Sequence, residues 1–174
     1  MVSAHLENAS VFRTAKGGGP APSQPAVVVL RRRPDFHQKD FDRKARDLVR
    51  LGEQGKLRKT KPERPKVYDR KTGKSRSKTN IYRDRVIRKL TRDDRKYQKN
   101  KTLVQRLYGG KGPVSGPNQG LDPDHIHELQ LGGSDTYDNF RLMDSWTNRE
   151  LGREISRALN DVPIGTPVTV KVIP

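Results

Sequence analysis

The sequence predicts an α+β protein in which a long helical region precedes a smaller unit with one strand and one helix. Apolar residues recur at helical intervals in several stretches between residues 40 and 108. A β-branched run, AVVVL, covers Ala26–Leu30, and a further short strand is predicted at Phe140–Met143. The helix after that strand has an apolar stripe at Leu151, Ile155 and Leu159. Only 30% of the 174 residues are hydrophobic, so we expect a small core with polar extensions.

Residues 1–34 are predicted to form a flexible N-terminal segment. Ala15–Pro25 is rich in Gly, Pro, Ala and Ser, as linkers are. The run Ala26–Leu30 ends at RRRP, and it is open whether it pairs as a strand or serves as a docking segment. Neither an apolar signal-peptide core nor a stretch of membrane-spanning length is present. We therefore expect a protein made in a cytoplasm, without a membrane-spanning segment.

Residues 35–110 are predicted to form a basic helical region. One helix begins near Asp40 and ends at Gly52 or Gly55, and its apolar positions are Phe41, Ala45, Leu48 and Val49. Lys56–Lys78 holds eleven basic and two acidic residues and is expected to be an extended basic strap. Two further helices are expected over Ile81–Leu90, with a stripe of Tyr82, Val86 and Leu90, and over Arg92–Tyr108, where Gly109 and Gly110 stop it.

The distribution of charge indicates a nucleic-acid partner. The chain carries 37 Lys and Arg against 20 Asp and Glu, a net charge of +17. Residues 35–110 alone contribute 26 minus 10, or +16, whereas residues 111–174 contribute 6 minus 9, or −3. A field of that size attracts polyanions, so we expect binding and chemistry to be separated along the chain. The expected phosphate contacts are Arg83, Arg85, Arg88 and Lys89 on the second helix, with Arg149 and Arg153 nearer the C-terminus.

A motif with fixed spacing points to the chemistry. The sequence DHIHELQLGG starts at Asp124, Asn139 lies six residues after Gly133, and Asn148 lies nine residues after Asn139. A phosphodiester repels nucleophiles, so cleavage needs a base, a cation and hard ligands for it. His125, Asp124 and Asn148 supply those groups. The chain has no cysteine, which excludes disulfides and cysteine-ligated zinc knuckles.

These intervals resemble those of the HNH and endonuclease VII superfamily, over about a quarter of the chain. The resemblance implies a ββα-metal (His-Me finger) nuclease core in residues 111–174, with the basic helical region as an N-terminal arm. The superfamily's third histidine position is occupied by Asn148, which makes this an HNN variant. The stretch NFRLMDSWTNRELGREI and the later PIGTPVTV further resemble C-terminal nuclease domains of bacterial polymorphic toxins, including Rhs-type effectors.

The resemblance assigns a role to each motif residue. His125 is the expected general base, because imidazole exchanges protons near neutral pH. Asp124 and Asn148 are the expected oxygen ligands of one divalent cation, Mg²⁺ first, with Mn²⁺, Zn²⁺ and Ni²⁺ left open. Asn139 is expected to orient His125 by bracing the loop through backbone hydrogen bonds. For His127, a metal or phosphate contact and a structural role both stay open.

The local sequence fits that layout. Gly132 and Gly133 permit the positive φ of a tight reversal, and Ser145 is expected to cap a helix beginning near Trp146. Asn148 then falls in the first turn of this helix, which the stripe of Leu151 and Ile155 would pack against the strands.

The function expected from these observations is a metal-dependent, largely nonspecific DNA endonuclease that acts as an antibacterial effector toxin. Such a toxin is made in a bacterial cytoplasm, is secreted or injected into a target cell, and requires an immunity protein that protects the producer. Three alternatives remain open. They are a phage or restriction-type HNH endonuclease with sequence preference, a non-catalytic basic DNA-binding module, and a nuclease whose substrate is RNA.

Overall fold

The computed structural model describes residues 10–12 and 24–174 and shows a mixed α and β fold. Its first sheet has three strands, β1 (Ser10–Phe12), β2 (Ala26–Arg31) and β7 (Val168–Ile173), in the order β1-β2-β7. The central strand β2 pairs antiparallel with β1 and parallel with β7. The β-branched run is therefore a strand rather than a docking segment, and it belongs to the folded core. Most of the predicted linker, up to residue 23, lies outside the described residues.

The first helix is found where its periodicity predicts it. Helix α1 spans Gln38–Glu53 and buries Phe41, Ala45 and Leu48 in the main core. The chain turns at Gly55, which has a φ of 71°. The same helix also buries Lys44, which apolar periodicity alone does not predict.

The basic strap contains a hairpin that was not predicted. Strands β3 (Val67–Asp69) and β4 (Lys74–Arg76) pair antiparallel around a turn in which Gly73 has a φ of 70°. Arg76 donates hydrogen bonds to Asp69 at 2.9 Å and to Asp84 at 2.5 Å, and so attaches the hairpin to the next helix. The strap is thus only partly extended.

Three helices follow the hairpin instead of the two predicted ones, namely α2 (Lys78–Leu90), α3 (Asp94–Lys99) and α4 (Lys101–Gly109). The predicted helix over Arg92–Tyr108 is broken at Asn100, whose ψ is 18° and whose side chain donates to the carbonyl oxygen of Lys96. The prediction for the buried face of α2 was also wrong in part. Ile81, Arg83 and Ile87 are buried, whereas Tyr82, Val86 and Leu90 are only half-buried.

Residues 121–159, called here the C-terminal unit, contain two antiparallel strands followed by a helix. Strand β5 (Leu121–His125) pairs with β6 (Phe140–Asp144), and helix α5 (Ser145–Leu159) follows directly. The N-cap of α5 is Asp144 rather than the predicted Ser145. Asp144 accepts a hydrogen bond from the backbone N–H of Thr147 at 3.0 Å, and the hydroxyl of Ser145 donates to Asp122 instead.

Two hydrophobic clusters hold these elements together. The larger one joins α1, β2, α5 and β7, and the smaller one joins α2, α4 and β5 through Ile87, Leu107 and Leu121. The predicted boundaries at residues 34 and 110 therefore do not separate independently packed units, because elements on either side of each boundary share a core. In the described part of the chain, every helix is too short or too polar to cross a membrane.

Candidate active site

A cavity of about 620 Å³ lies between β5, the first turns of α5, and α2. Asp124, His125 and Asn148, which the motif singles out, all line it. The cavity wall also includes four residues with carboxyl or amide groups that the sequence did not single out, namely Asn80, Asp122, Glu128 and Gln130. Five cationic residues line it as well, namely Arg64, Arg83, Lys111, Arg149 and Arg153.

His125 is held rigidly at the end of β5. It is 5% exposed, and its ring meets the ring of Phe140 edge-on, with 5.0 Å between the ring centroids. Its Nε2 lies 2.9 Å from Oδ1 of Asp135. When Nε2 carries the proton and donates it to Asp135, Nδ1 is the basic nitrogen of the ring. Asp135 was missed at the sequence level, where the only signal is an acidic residue two positions after the glycine pair.

Asn139 hydrogen-bonds to the backbone of the loop that follows His125. Its Oδ1 accepts from the backbone N–H of His127 at 2.9 Å, and its Nδ2 donates to the carbonyl oxygens of His127 at 2.9 Å and Ser134 at 2.8 Å. Its own carbonyl oxygen accepts from the N–H of Ile126 at 2.8 Å. Asn139 thus fixes the chain immediately after His125 without lining the cavity.

The glycine pair of this loop serves two different purposes. Gly132 has a φ of 97°, as predicted for a tight reversal. Gly133 does not have a positive φ, but a Cβ there would lie 1.7 Å from the carbonyl oxygen of His127. Gly132 is therefore needed for the positive φ of the turn, whereas Gly133 is needed because a side chain would collide with the carbonyl group of His127.

His127 does not line the cavity. Its Nε2 lies 3.0 Å from the carbonyl oxygen of Leu131, inside the loop that Asn139 braces. The side chain of His127 thus contacts its own loop, and its backbone is held by the side chain of Asn139.

Asp124 is part of an ionic cluster with Lys44, which is buried like Asp124, and Glu128, which is half-buried. The ammonium of Lys44 lies 2.9 and 3.1 Å from the two carboxylate oxygens of Asp124 and 2.9 Å from Oε2 of Glu128. Burial alone would lower the pKa of Lys44, but the charges of Glu128 and Asp124 outweigh it and raise that pKa above its usual value. Burial raises the pKa of Asp124, whereas Lys44 overcomes burial at Glu128 and holds its pKa below the usual value.

Asp122 is the carboxylate that contacts Asn148. Its Oδ2 accepts from Nδ2 of Asn148 at 3.1 Å, and its two oxygens also accept from Arg83, Ser145 and Arg149 at 2.8 to 3.0 Å. Asp122 and Asp124 are two residues apart in β5, and side chains two residues apart lie on the same face of a strand. In the sequence, the only indication of a role for Asp122 is that it lies two residues before Asp124 in the stretch DPDH.

Two of the six residues predicted to contact phosphate, Arg83 and Arg149, pair with Asp122 of the protein itself. Arg83 is 7% exposed and pairs with Asp122, and Arg149 donates to Asp122 and to the carbonyl oxygens of Gly110 and Gly112. Burial lowers the pKa of Arg83 despite the charge of Asp122. Both guanidinium groups thus neutralise Asp122 at the cavity wall, whereas Arg153 is exposed at the same wall and pairs with Glu150.

The other three predicted phosphate contacts lie in a separate groove. Arg85, Arg88 and Lys89 on α2 line it together with Lys71 and Arg92, and all five of these lining residues are basic. Arg85 also packs over the ring of Tyr137, 4.6 Å from its centroid. Helix α2 therefore presents Arg83 to the cavity and this basic groove on its exposed side.

Two of the side chains that line the cavity, Asp124 and Asn148, carry the oxygen donors that a hard divalent cation prefers. In the described residues, no three His, Asp or Glu side chains lie close enough together to form a metal site. Mg²⁺ nevertheless needs few protein ligands, because it keeps several waters and shares substrate phosphates. Asp124 and Asn148 supply oxygen donors to the same cavity. A carboxylate has about four acceptor positions, and Lys44 occupies one on each oxygen of Asp124. Each oxygen therefore keeps a lone pair that could bind a cation.

In comparisons with known proteins, the chain matches no family model, no curated protein and no solved structure.

Proposed function

We propose that this protein is a metal-dependent endonuclease that hydrolyses phosphodiesters in the cavity beside β5 and α5. The observation that carries the proposal is the convergence of His125, Asp124 and Asn148 on one cavity, in a strand, strand and helix arrangement with the motif's spacing. Asn139 supports it, because its hydrogen bonds hold the chain next to His125 as the resemblance to HNH nucleases implies.

In this proposal His125 accepts a proton from the attacking water through Nδ1, while Asp135 fixes the ring through Nε2. Asp135 also stabilises the imidazolium that forms, since its carboxylate is 2.9 Å away. Asp124 and Asn148 would hold the divalent ion through oxygen atoms, and Mg²⁺ is the expected ion, with Mn²⁺, Zn²⁺ and Ni²⁺ as alternatives. When bound, such an ion supplies charge stabilisation at the scissile phosphate. Arg64, Lys111 and Arg153 line the cavity and favour an anionic substrate.

The proposed substrate is DNA, bound with little sequence preference. The basic groove on α2 offers five cations to a phosphate backbone and no carboxylate among its lining residues. Backbone contacts of this kind position a nucleic acid without reading its bases. RNA has the same phosphate chemistry and is the alternative substrate.

The proposed biological role is that of a bacterial effector toxin that is injected or secreted into a target cell. Nonspecific nuclease activity would harm the producing cell, so this role requires an immunity protein. An acidic partner that covers the cationic cavity wall would fit the charge found there.

The test is a plasmid nicking and linearisation assay in EDTA, Mg²⁺, Mn²⁺, Zn²⁺ or Ni²⁺, with an RNA substrate in parallel. We expect metal-dependent cleavage that falls by about 10²- to 10⁴-fold in His125→Ala, the usual contribution of a general base. The matched control is His37→Asn, which replaces the N-cap histidine of α1 by another good cap and should leave cleavage unchanged.

The other outcomes select the alternatives. Binding of DNA without cleavage under every metal would make the protein a basic DNA-binding module. Discrete cleavage bands instead of a smear would indicate a sequence-preferring endonuclease of the phage or restriction type. Equal cleavage by His125→Ala and wild type would overturn the proposed mechanism.

A further inference from the structure

Lys44 is a buried cation inside a cage of oxygen atoms. It is 2% exposed, and it projects from α1 toward the end of β5. Its Nζ lies 2.9 and 3.1 Å from the oxygens of Asp124, 2.9 Å from Oε2 of Glu128 and 2.5 Å from the carbonyl oxygen of His125. Four oxygens thus surround one ammonium, which has three protons to donate.

The ammonium of Lys44 lies between the carboxylate of Asp124, which is buried, and that of Glu128, which is half-buried. Asp124 and Glu128 would repel each other if no positive charge lay between them, because charges interact strongly where water is excluded. A buried carboxylate that loses its partner is costly for the folded protein. Lys44 also fixes the carbonyl group of His125, so the same ammonium contacts the proposed ligand and the backbone of the proposed base.

The position of Lys44 also affects any cation that Asp124 binds. A positive charge 2.9 Å from a ligand oxygen reduces the negative potential that attracts a divalent ion. Replacing the ammonium by an uncharged side chain would leave Asp124, Glu128 and a carbonyl oxygen facing the same space. Carboxylate and carbonyl oxygens are the donors that Mg²⁺ and Mn²⁺ prefer.

We propose that Lys44 is the built-in counter-ion of the metal site, which keeps Asp124 and Glu128 in place in the metal-free protein and weakens divalent-ion binding at Asp124. This inference rests on the proposed function, because it takes Asp124 as a metal ligand. Lys44 lies in α1, in the region that was predicted only to bind nucleic acid. In this proposal it sets the metal affinity of a site in the C-terminal unit.

The experiment measures Mn²⁺ binding by calorimetry and thermal unfolding with and without Mn²⁺, in wild type and Lys44→Met. We expect Lys44→Met to bind Mn²⁺ at least tenfold more tightly than wild type does. We also expect Mn²⁺ to raise its unfolding temperature by more than that of wild type. Arg46→Met is the matched control, because it removes one positive charge from an exposed position of the same helix.

The inference is overturned if Lys44→Met and Arg46→Met have the same Mn²⁺ affinity. If Lys44→Met does not fold in EDTA, refolding in Mn²⁺ supports the inference, and failure to fold in both conditions overturns it. Adding Asp124→Asn to wild type and to Lys44→Met separates the two proposals. Mn²⁺ binding that needs Asp124 but ignores Lys44 overturns only this inference, whereas binding that ignores Asp124 overturns the proposed metal site as well.

Discussion

At the residue scale, the loop after His125 is held by side-chain hydrogen bonds to its backbone as well as by the burial of Leu129 and Leu131. Asn139 binds the N–H and the carbonyl oxygen of His127, and Gly133 allows the chain to approach that same carbonyl group. Asn suits this position because its amide group has both an acceptor and donors. The geometry of the candidate base thus depends on a residue that does not touch the cavity.

Asn139→Ala is therefore expected to lower both stability and cleavage. The variant leaves the N–H of His127 and the carbonyl oxygens of His127 and Ser134 without their partner, which costs about 1 to 3 kcal/mol of the free energy of unfolding. Urea denaturation measures that loss, and the plasmid assay measures the loss of cleavage. Asn160→Ala, at an exposed asparagine, should change stability by less than about 0.5 kcal/mol. An Asn139→Ala protein with wild-type stability and cleavage would contradict the bracing role.

At the element scale, the hairpin β3–β4 depends on a few ionic contacts for its attachment to α2. Arg76 connects Asp69 of the hairpin to Asp84 of α2, and Lys111 lies 3.1 Å from the other oxygen of Asp84. Burial raises the pKa of Asp84, but its hydrogen bonds with Arg76 and Lys111 outweigh burial and hold the pKa below its usual value. The hairpin contributes no residue to either of the two hydrophobic clusters.

Attachment of the hairpin is expected to depend on Asp84 and on acid pH. The pKa of Asp84 in the folded protein is below its usual value of 3.8. The contribution of Asp84 to the attachment of the hairpin is therefore fully present above pH 3.8, and it is lost as the pH falls through the folded-state pKa. At neutral pH, Asp84→Asn should weaken the attachment by about 1 kcal/mol. Faster amide hydrogen exchange over Val67–Arg76 would show it, with Asp94→Asn, at an exposed aspartate, as the control. Unchanged exchange in Asp84→Asn would mean that other contacts hold the hairpin.

At the scale of the whole molecule, two cationic surfaces differ in whether acidic residues lie among their cations. Cations at the cavity wall face Asp122, Asp124 and Glu128, and two of them, Arg83 and Arg149, neutralise Asp122. The groove on α2 has five cations and no acidic lining residue. We therefore expect the groove to provide more of the salt-dependent affinity for nucleic acid than the cavity does.

Reversing two charges in the groove should weaken DNA binding and reduce its salt dependence. Arg88→Glu with Lys89→Glu removes two phosphate contacts, so the slope of log affinity against log salt should fall by about two. Fluorescence anisotropy with a duplex at several salt concentrations gives both values. Lys171→Glu, in β7, reverses a charge away from the groove and should alter the slope much less. If Lys171→Glu has the larger effect, the groove is not the binding surface.

Local patterns were sufficient to predict several elements. The apolar spacing of α1 and the strand and stripe of β6 and α5 are properties of neighbouring residues, and all three elements were found. The backbone conformation of Gly132 was predicted for the same reason. The β-branched run at Ala26–Leu30 left open whether it pairs as a strand, and the structure shows that it does. The single break at Asn100 was not predicted, because an asparagine within a helical pattern is compatible with continuation or with a cap.

The sequence by itself determined the mixed α and β class, the positive charge and the motif that holds His125, Asp124, Asn139 and Asn148 in register. Only the tertiary structure decided what surrounds those residues. Lys44 lies 80 residues before Asp124, and Arg83 lies 39 residues before Asp122, so no local pattern connects them. Their positions follow from α1 and α2 packing against the C-terminal unit. That packing decides which cations neutralise the carboxylates of the candidate site and which remain available for the proposed nucleic-acid substrate.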